Sequence, residues 1–464
     1  MDLPVIPTPI APRWVWMEEI TYSHIPIATV ITAFMVLAPI YEYVGWRRKD
    51  PRFDRLALSL IWFSLILFSP GAALGTGIPM FLMGTYPEFW SRWSNIFFWP
   101  LITQMFFFLA EVGFLFFGYY LSWNVLAHRK RLHIFLGCCA AFFGLLVQVV
   151  WDALGSYMMT PGRARLPGVD EPVAWSAAAF FNPSFLTLFV HRFVGNISYV
   201  MLLTGGVLAL MYMRSKSKEN KDYYGFASNL TFAIGFLFFF PMPFIGWWYA
   251  RVLQDHAPVA FTSVMGGHTS THFIVKMSLL FAMLVVAGSY FFTRYRGKAL
   301  LAGVTAAVAA LYVILHWHPA LDWFGSAAAW RVFYTVVLAA VLAWLWLFRG
   351  RMDSEHKYWR WGLFGVGMAA FLAFCLGGFV RERSRQPYSV YGELEKPEIT
   401  SSERNRWLFY DKCIRCHHES VDDFEAFAGQ DWTERMRIER ARPGVTLTDE
   451  EAARIVKHLE EAYP

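Results

Sequence analysis

"HIPIATVITAFMVLAPIY", residues 24–41, carries no Asp, Glu, Lys or Arg. With its flanks it is long enough to cross the roughly 30 Å of hydrocarbon in a bilayer, which takes about 20 helical residues. Runs of the same kind recur, for example "ALLAGVTAAVAALYVIL" at 299–315. Of the 464 residues, 56% are hydrophobic and 16% charged, which is too little charge for the wetted surface of a soluble chain this long. Lipid offers the backbone no hydrogen bonds, so only helices or closed barrels span it. The runs are too long and too continuous for barrel strands. The expected fold class is therefore all-α: a polytopic transmembrane helical bundle of about ten spans, near 23–45, 56–76, 97–124, 131–158, 186–213, 225–249, 271–293, 298–317, 329–348 and 359–380. The first 20 residues are Pro-rich and lack a basic start and an apolar core. The first span is thus expected to remain as an uncleaved anchor.

Orientation follows from the Lys and Arg of the short loops. "WRRKDPRFDR", "AHRKRL", "RSKSKENK", "RYRGK" and "RGRMDSEHKYWR" alternate along the chain with "GIPMFLMGTYPEFWSRWSN", "TPGRARLPGVDEPVAW", "LQDHAPVAFTSVMGGHTST" and "HPALDWFGSAAAW". The first set is basic and is expected in the cytoplasm of a bacterial or archaeal cell. The N-terminus and everything after residue 380 then lie on the outer side of the cytoplasmic membrane. The net charge of +6 is largely this topology signal and implies the lipid bilayer, not nucleic acid, as the partner.

Composition shifts after residue 381. Residues 400–464 are rich in Arg, Glu and Asp and follow the linker "YSVYGELEKPEITSSE". Two domains are expected: a membrane domain at 1–390 and a small helical domain at 400–464 on the outer face. The latter contains "DKCIRCHHES", residues 411–420. Cys413 and Cys416 with His417 have the spacing of a c-type haem attachment site. Two thiols bond the two vinyl groups of one porphyrin, and the adjacent His gives the iron an axial nitrogen. The competing readings are a disulfide or half of a zinc site, but no second Cys/His pair follows to complete a zinc site. Candidates for the second axial ligand are Met436, His418 and His458. Met436 is favoured, because "MRIERARPGVTLTDEEAARIVKHL" is similar to the ending of short one-haem cytochrome c domains. His418 is adjacent to His417 and badly placed for the opposite face. His458 is expected on the surface of a tail helix. The domain is accordingly expected to be cytochrome c-like, with a covalent haem c.

Ionisable groups within spans are functional candidates. His24, His191, His256, His268, His272, His316 and His318 fall at expected outer ends of spans or in outer loops, whereas His128, His133 and His356 lie among inner loop charges. The bias suggests metal centres near the outer face. His191 and Met277 sit at matched depths, roughly 8–9 Å below the outer boundary at 1.5 Å per residue. They either bind one haem b from opposite faces, or Met277 is ordinary core packing. Lys276 and Arg192 either pair with haem propionates or snorkel to the interface. His268 and His272, four apart, either share a metal or begin a solvated helix. Glu111, within "QMFFFLAEVGFLFF", is either a proton-relay group or a hydrogen-bonded structural acid. Cys138, Cys139 and Cys375 lie within spans and are expected to pack.

These segments resemble subunit I of cytochrome bd-type oxidases over roughly residues 18–390. "FNPSFLTLFVHRFVGNISYV" is similar to the segment with the low-spin haem b histidine, which implies that role for His191. "TYSHIPIA" is similar to the segment with a high-spin haem ligand, implying His24. "GTGIPMFLMGTYPEFW" and "SYMMTPG" also resemble family segments. "GGFVRERSRQPY" is similar to an end-of-span motif, implying Glu382 as a high-spin haem ligand and Arg385 as a propionate or pocket partner. "FIVKMSLLF" resembles the segment of the low-spin haem methionine, implying Met277. There are departures. The family's large quinol loop is here only "ARVLQDHAPVAFTSVMGGHTST". Gln104 and Glu111 stand where two glutamates are usual. Gly378 replaces a tryptophan, an extra pair of spans precedes the last motif, and the c-haem domain replaces the last span.

The resemblance implies an oxidase subunit in which electrons pass from haem c to low-spin haem b and then to high-spin haem b and/or d, where oxygen is reduced. His24, Glu382 and Glu111 would be the catalytic groups. A second membrane subunit and other respiratory-complex subunits are implied, with soluble cytochrome c or quinol as redox partner. The alternative is a quinone/cytochrome c electron-transfer module without oxygen chemistry. A structural subunit with vestigial haems is a third reading.

Overall fold

The computed structural model describes residues 6–11, 13–160, 175–257, 261, 270–295, 357–383, 405, 408–409, 412–413, 429–442, 445 and 447–462. Every regular element among them is helical. The membrane part comprises α1 (Arg13–Arg48), α2 (Pro51–Thr85), α3 (Pro87–Ile96), α4 (Phe98–Val112), α5 (Lys130–Tyr157), a short α6 (Ala177–Phe180), α7 (Phe185–Arg214), α8 (Lys218–Phe239), α9 (Met242–His256), α10 (Ser270–Tyr295) and α11 (Lys357–Arg383). Seven helical segments among the described residues are long and apolar enough to cross a membrane. The span expected at 271–293 is helical as α10, with its apolar part at Val275–Tyr290. The spans expected at 298–317 and 329–348 lie outside the described residues.

Several local features differ from the sequence expectation. α1 begins at Arg13 and α2 continues to Thr85, so both helices outrun the spans expected at 23–45 and 56–76. Their apolar windows define the hydrocarbon segment but not where the helix stops, because helical hydrogen bonding continues into polar surroundings. The outer loop expected after residue 76 is therefore largely helix, formed by the end of α2 and by α3. The third span is an α-helix only to Val112 and then widens into a π-helix at Gly113–Tyr120. The sixth is broken between Phe239 and Met242, where Pro241 cannot donate a backbone hydrogen bond.

The α1–α2 turn is set by its sequence. Lys49 adopts a positive φ of 56°. Asp50 caps α2 by accepting from the Arg52 N–H at 3.1 Å, and Pro51 occupies the first turn, where its missing donor costs nothing.

The core lies where α1, α2, α5, α7, α8, α10 and α11 meet, filled by residues such as Phe34, Tyr41, Leu56, Tyr199, Phe232, Tyr290 and Leu363. Trp62, Phe63, Phe106, Leu109, Phe117 and Leu237 point outward, as expected of surfaces that face lipid. Without a hydrophobic drive between helices in lipid, close association depends on small residues. Gly206 of α7 and Gly367 of α11 supply them. A Cβ on Gly367 would lie 2.9 Å from the Leu202 carbonyl oxygen, and one on Gly206 would lie 2.9 Å from that of Leu363. These are backbone contacts that cannot yield by a rotamer change. Gly367→Ile should cost about 1–3 kcal/mol or more, read as a lowered thermal midpoint of the detergent-purified protein, whereas Gly365→Ala, whose added Cβ meets nothing within 4 Å, should leave the midpoint nearly unchanged.

In the C-terminal segment, α12 (Trp432–Arg440) and α13 (Asp449–Ala462) follow the expected helical pattern. Asp431 caps α12 by accepting from the N–H groups of Thr433 and Glu434. Thr448 and Glu451 form a capping box, each side chain accepting from the other's N–H, at 2.9 and 3.2 Å. Trp432, Met436, Ile455 and Leu459 are buried. His458 is buried as well, with its ring 5.4 Å from that of Phe409. It is not the surface residue expected, because the apolar face of the amphipathic α13 extends to include it.

Candidate functional site

His24 lies on α1 against α2. Its Nδ1 is 2.9 Å from the carbonyl oxygen of Gly71. A carbonyl only accepts, so Nδ1 carries the proton and Nε2 keeps its lone pair. This arrangement fixes the tautomer of a metal-ligating histidine from outside the metal's own ligand set. Gly75 makes room for the ring, since a Cβ there would come within 2.7 Å of His24 Cε1. Gly75→Val should displace the imidazole and abolish any haem signal that depends on it, checked by comparing its reduced spectrum with that of His24→Ala.

His191 lies on α7, where α9 crosses it. A Cβ on Gly246 would be 3.7 Å from His191 Cε1, and the Tyr249 ring centroid is 5.8 Å away. Its Nδ1 is buried and has no hydrogen-bond partner among the described residues. Leaving such an atom unpaired costs about 1–3 kcal/mol. A metal bound at Nδ1 itself would satisfy that atom, so the ring fits a place among the ligands of a haem iron.

The charges around this ring come from three helices. Lys276 of α10, Arg192 of α7 and Arg381 of α11 all act electrostatically on His191. Lys276 Nζ packs over Phe273 at 5.9 Å, and a Cβ on Gly377 would meet it at 3.4 Å. Arg192 neither stands free nor simply snorkels: it is paired with the fully buried Asp152 of α5. Gln148 donates to the other oxygen of Asp152 at 3.1 Å. The guanidinium of Arg381 lies close enough to Gly155 that a Cβ there would be 2.9 Å from it. Asp152, Gln148, Tyr249 and Arg381 are absent from the sequence candidates. Asp152 had the signal that Glu111 had, an acid inside an apolar span.

Met277 is half-buried on α10, next to Lys276. α7 and α10 both pack against α11. Glu382 is in the last turn of α11, immediately after Arg381, and its side chain is outside the description. Arg385, Cys416, His417, His418 and His268 lie outside the described residues. Cys413 is partly buried, and its N–H donates to the Phe409 carbonyl at 2.8 Å. Met436 is buried on α12.

Glu111 is buried in the last turn of α4. Gly144 of α5 permits its approach, since a Cβ there would lie 3.3 Å from Glu111 Oε1 and 2.7 Å from Met35 Cε. No hydrogen bond reaches the Glu111 carboxyl among the described residues, so no structural partner explains the acid. His133, expected among loop charges, is instead buried and bonded to Glu42.

A family model described as "Cytochrome bd terminal oxidase subunit I" matches residues 13–410. The match stops just before the Cys413–His417 motif. Among solved structures, the bd oxidase from Geobacillus thermodenitrificans is similar, with a TM-score of 0.59 and 16% identity, covering 87% of this chain and 95% of that chain. At this identity the likeness shows a shared fold. No curated protein matches the chain.

Proposed function

The chain belongs to the cytochrome bd terminal oxidase subunit I family, and from that premise we propose that it carries electrons from a C-terminal haem c through a low-spin haem b to a high-spin haem site that reduces oxygen to water. As a member of that family it is a membrane-bound, haem-containing oxidoreductase subunit. The observation that carries the fuller reading is the buried ring nitrogen of His191, without a hydrogen-bond partner among the described residues, beside Lys276, Arg192 and Arg381.

His191 and Met277 would hold the low-spin haem b. His24 and Glu382 would hold high-spin haem b and/or d, with Arg385 and Lys276 beside the propionates. Cys413, Cys416 and His417 would hold haem c, with Met436 as its second ligand. The bound haems would supply one-electron exchange and an open iron position for oxygen. The protein itself contributes geometry and protons. Gly71 fixes the tautomer of His24, Asp152 orients Arg192, and Glu111 holds a proton in a buried, apolar setting. Four electrons and four protons are consumed per oxygen molecule, giving two waters. A second membrane subunit completes the assembly, and the C-terminal domain faces the outer side, where soluble cytochrome c or quinol delivers electrons.

A second reading, an electron-transfer module between quinone and cytochrome c, is favoured by one feature: only residues 257–269 separate α9 from α10, where a quinol loop would stand. Carbon monoxide separates the two readings. The oxidase reading expects a CO-induced shift in the reduced spectrum and oxygen consumption with a reduced donor. A reduced spectrum insensitive to CO, with every haem six-coordinate, would establish the module instead.

A further inference from the structure

At the end of the bundle opposite His24 and His191 lies a buried cluster to which the proposed function assigns no role. Glu42 of α1 is wholly buried. Its Oε1 accepts from Lys130 Nζ at 2.8 Å, and its Oε2 accepts from the Tyr119 hydroxyl at 2.9 Å. His133 Nδ1 lies 2.8 and 2.9 Å from the two carboxylate oxygens, while its Nε2 lies 2.8 Å from the Tyr119 carbonyl oxygen. A carbonyl only accepts, so Nε2 carries a hydrogen. A second proton must then sit between Nδ1 and Glu42, whether it is counted as imidazolium or as carboxylic acid. The pair is built around one transferable proton.

The cluster also has a polar approach. Asp54, 34% exposed, pairs with Lys130 at 3.3 Å; Lys130, 20% exposed, pairs with Glu42; and Glu42 and His133 are 0% and 1% exposed. Polar groups thus lead from the surface to the buried pair. The groups facing it are Asp54 from α2, Tyr119 from the π-helix, and Lys130 and Cys138 from α5. On the inward side α1, α5 and the π-helix lead to Glu111. Met35 of α1 and Glu111 both lie against Gly144 of α5, each within 3.3 Å of where a Cβ there would stand, and Glu42 and His133 belong to α1 and α5 as well. Glu42 is roughly 10 Å from Met35 along α1. The stretch joining Glu111 to Tyr119 is the π-helix Gly113–Tyr120, a deformation that recurs at functional sites.

We propose that the Glu42–His133 pair is a proton-loading station that supplies Glu111. The pair passes its shared proton through a short water chain to the Glu111 carboxylate and regains one from the aqueous phase at the Asp54–Lys130 mouth. One proton enters for each one delivered, and no electrons move. The inference rests on the proposed function only in that an oxidase consumes the protons so delivered.

Its test therefore needs no turnover. In the purified full-length protein, the infrared C=O band of protonated Glu111 is identified by its loss in Glu111→Gln, and its shift is followed after transfer to D2O. Glu42→Gln should slow that shift at least about tenfold. His133→Gln should do the same and serves alone if the first variant does not assemble. Exchange at the native rate in an assembled variant overturns the inference, as does the absence of any band lost in Glu111→Gln. Slowed exchange in a protein that does not react with oxygen would sink the oxidase reading and leave this one standing.

Discussion

His191→Ala should remove the low-spin haem signal from the reduced-minus-oxidised spectrum of the purified protein while the helices stay assembled. His191 enters no hydrogen bond through Nδ1 among the described residues, so truncating it breaks none there. The neighbouring structure has its own supports: Arg192 remains paired with Asp152, and Asp152 remains bonded to Gln148. The loss should be at least about tenfold in bound low-spin haem, at the scale seen when groups that only orient a metal ligand are removed, or larger. Thermal unfolding of the same sample separates lost haem from lost fold. An unchanged low-spin signal would transfer the role to another imidazole at that end, with His272 first, since its ring lies 4.6 Å from Phe379 and its Nδ1 is also buried without a hydrogen bond among the described residues.

Cys416→Ala should abolish or sharply reduce the haem that stays with the chain after denaturation, and leave the haems of the membrane bundle in place. The reason is chemical. A thioether survives denaturation, whereas imidazole, thioether-sulfur and carboxylate ligation to iron does not. Haem staining of the denatured polypeptide reads the covalent haem, and the reduced spectrum of the native protein reads the rest. Staining equal to the unsubstituted chain would show that the motif binds no porphyrin. Such a result would leave the membrane bundle's family untouched, because the family match ends at residue 410.

The parts of the protein that depend on residue type alone were legible in the sequence. Apolar length marked the helices, a histidine near the outer end of a span and an acid within one made His191 and Glu111 candidates, and the resemblance of "TYSHIPIA" made His24 one. What depends on neighbours was not. The Asp152–Arg192 pair joins residues on α5 and α7, and Glu42 meets His133 across α1 and α5. No spacing rule within one helix reveals either. His133 looked like a loop charge because Lys and Arg surround it in sequence, yet its helix turns it inward. His458 was misplaced for a related reason: a polar side chain can complete the apolar face of a short amphipathic helix. The break at Pro241 had a signal in the proline itself. The π-helix after Val112 had none in composition, since "GFLFFGYY" would suit a straight helix equally well.

The central claim is that the end of the bundle bearing His24 and His191 holds iron porphyrin. Pyridine haemochrome analysis of the purified full-length protein, with iron counted in the same sample, tests it most directly. The account predicts non-covalent protohaem in addition to one covalent c-type haem per chain. A protein that retains only covalent haem, or none, while its helices remain folded, would contradict it.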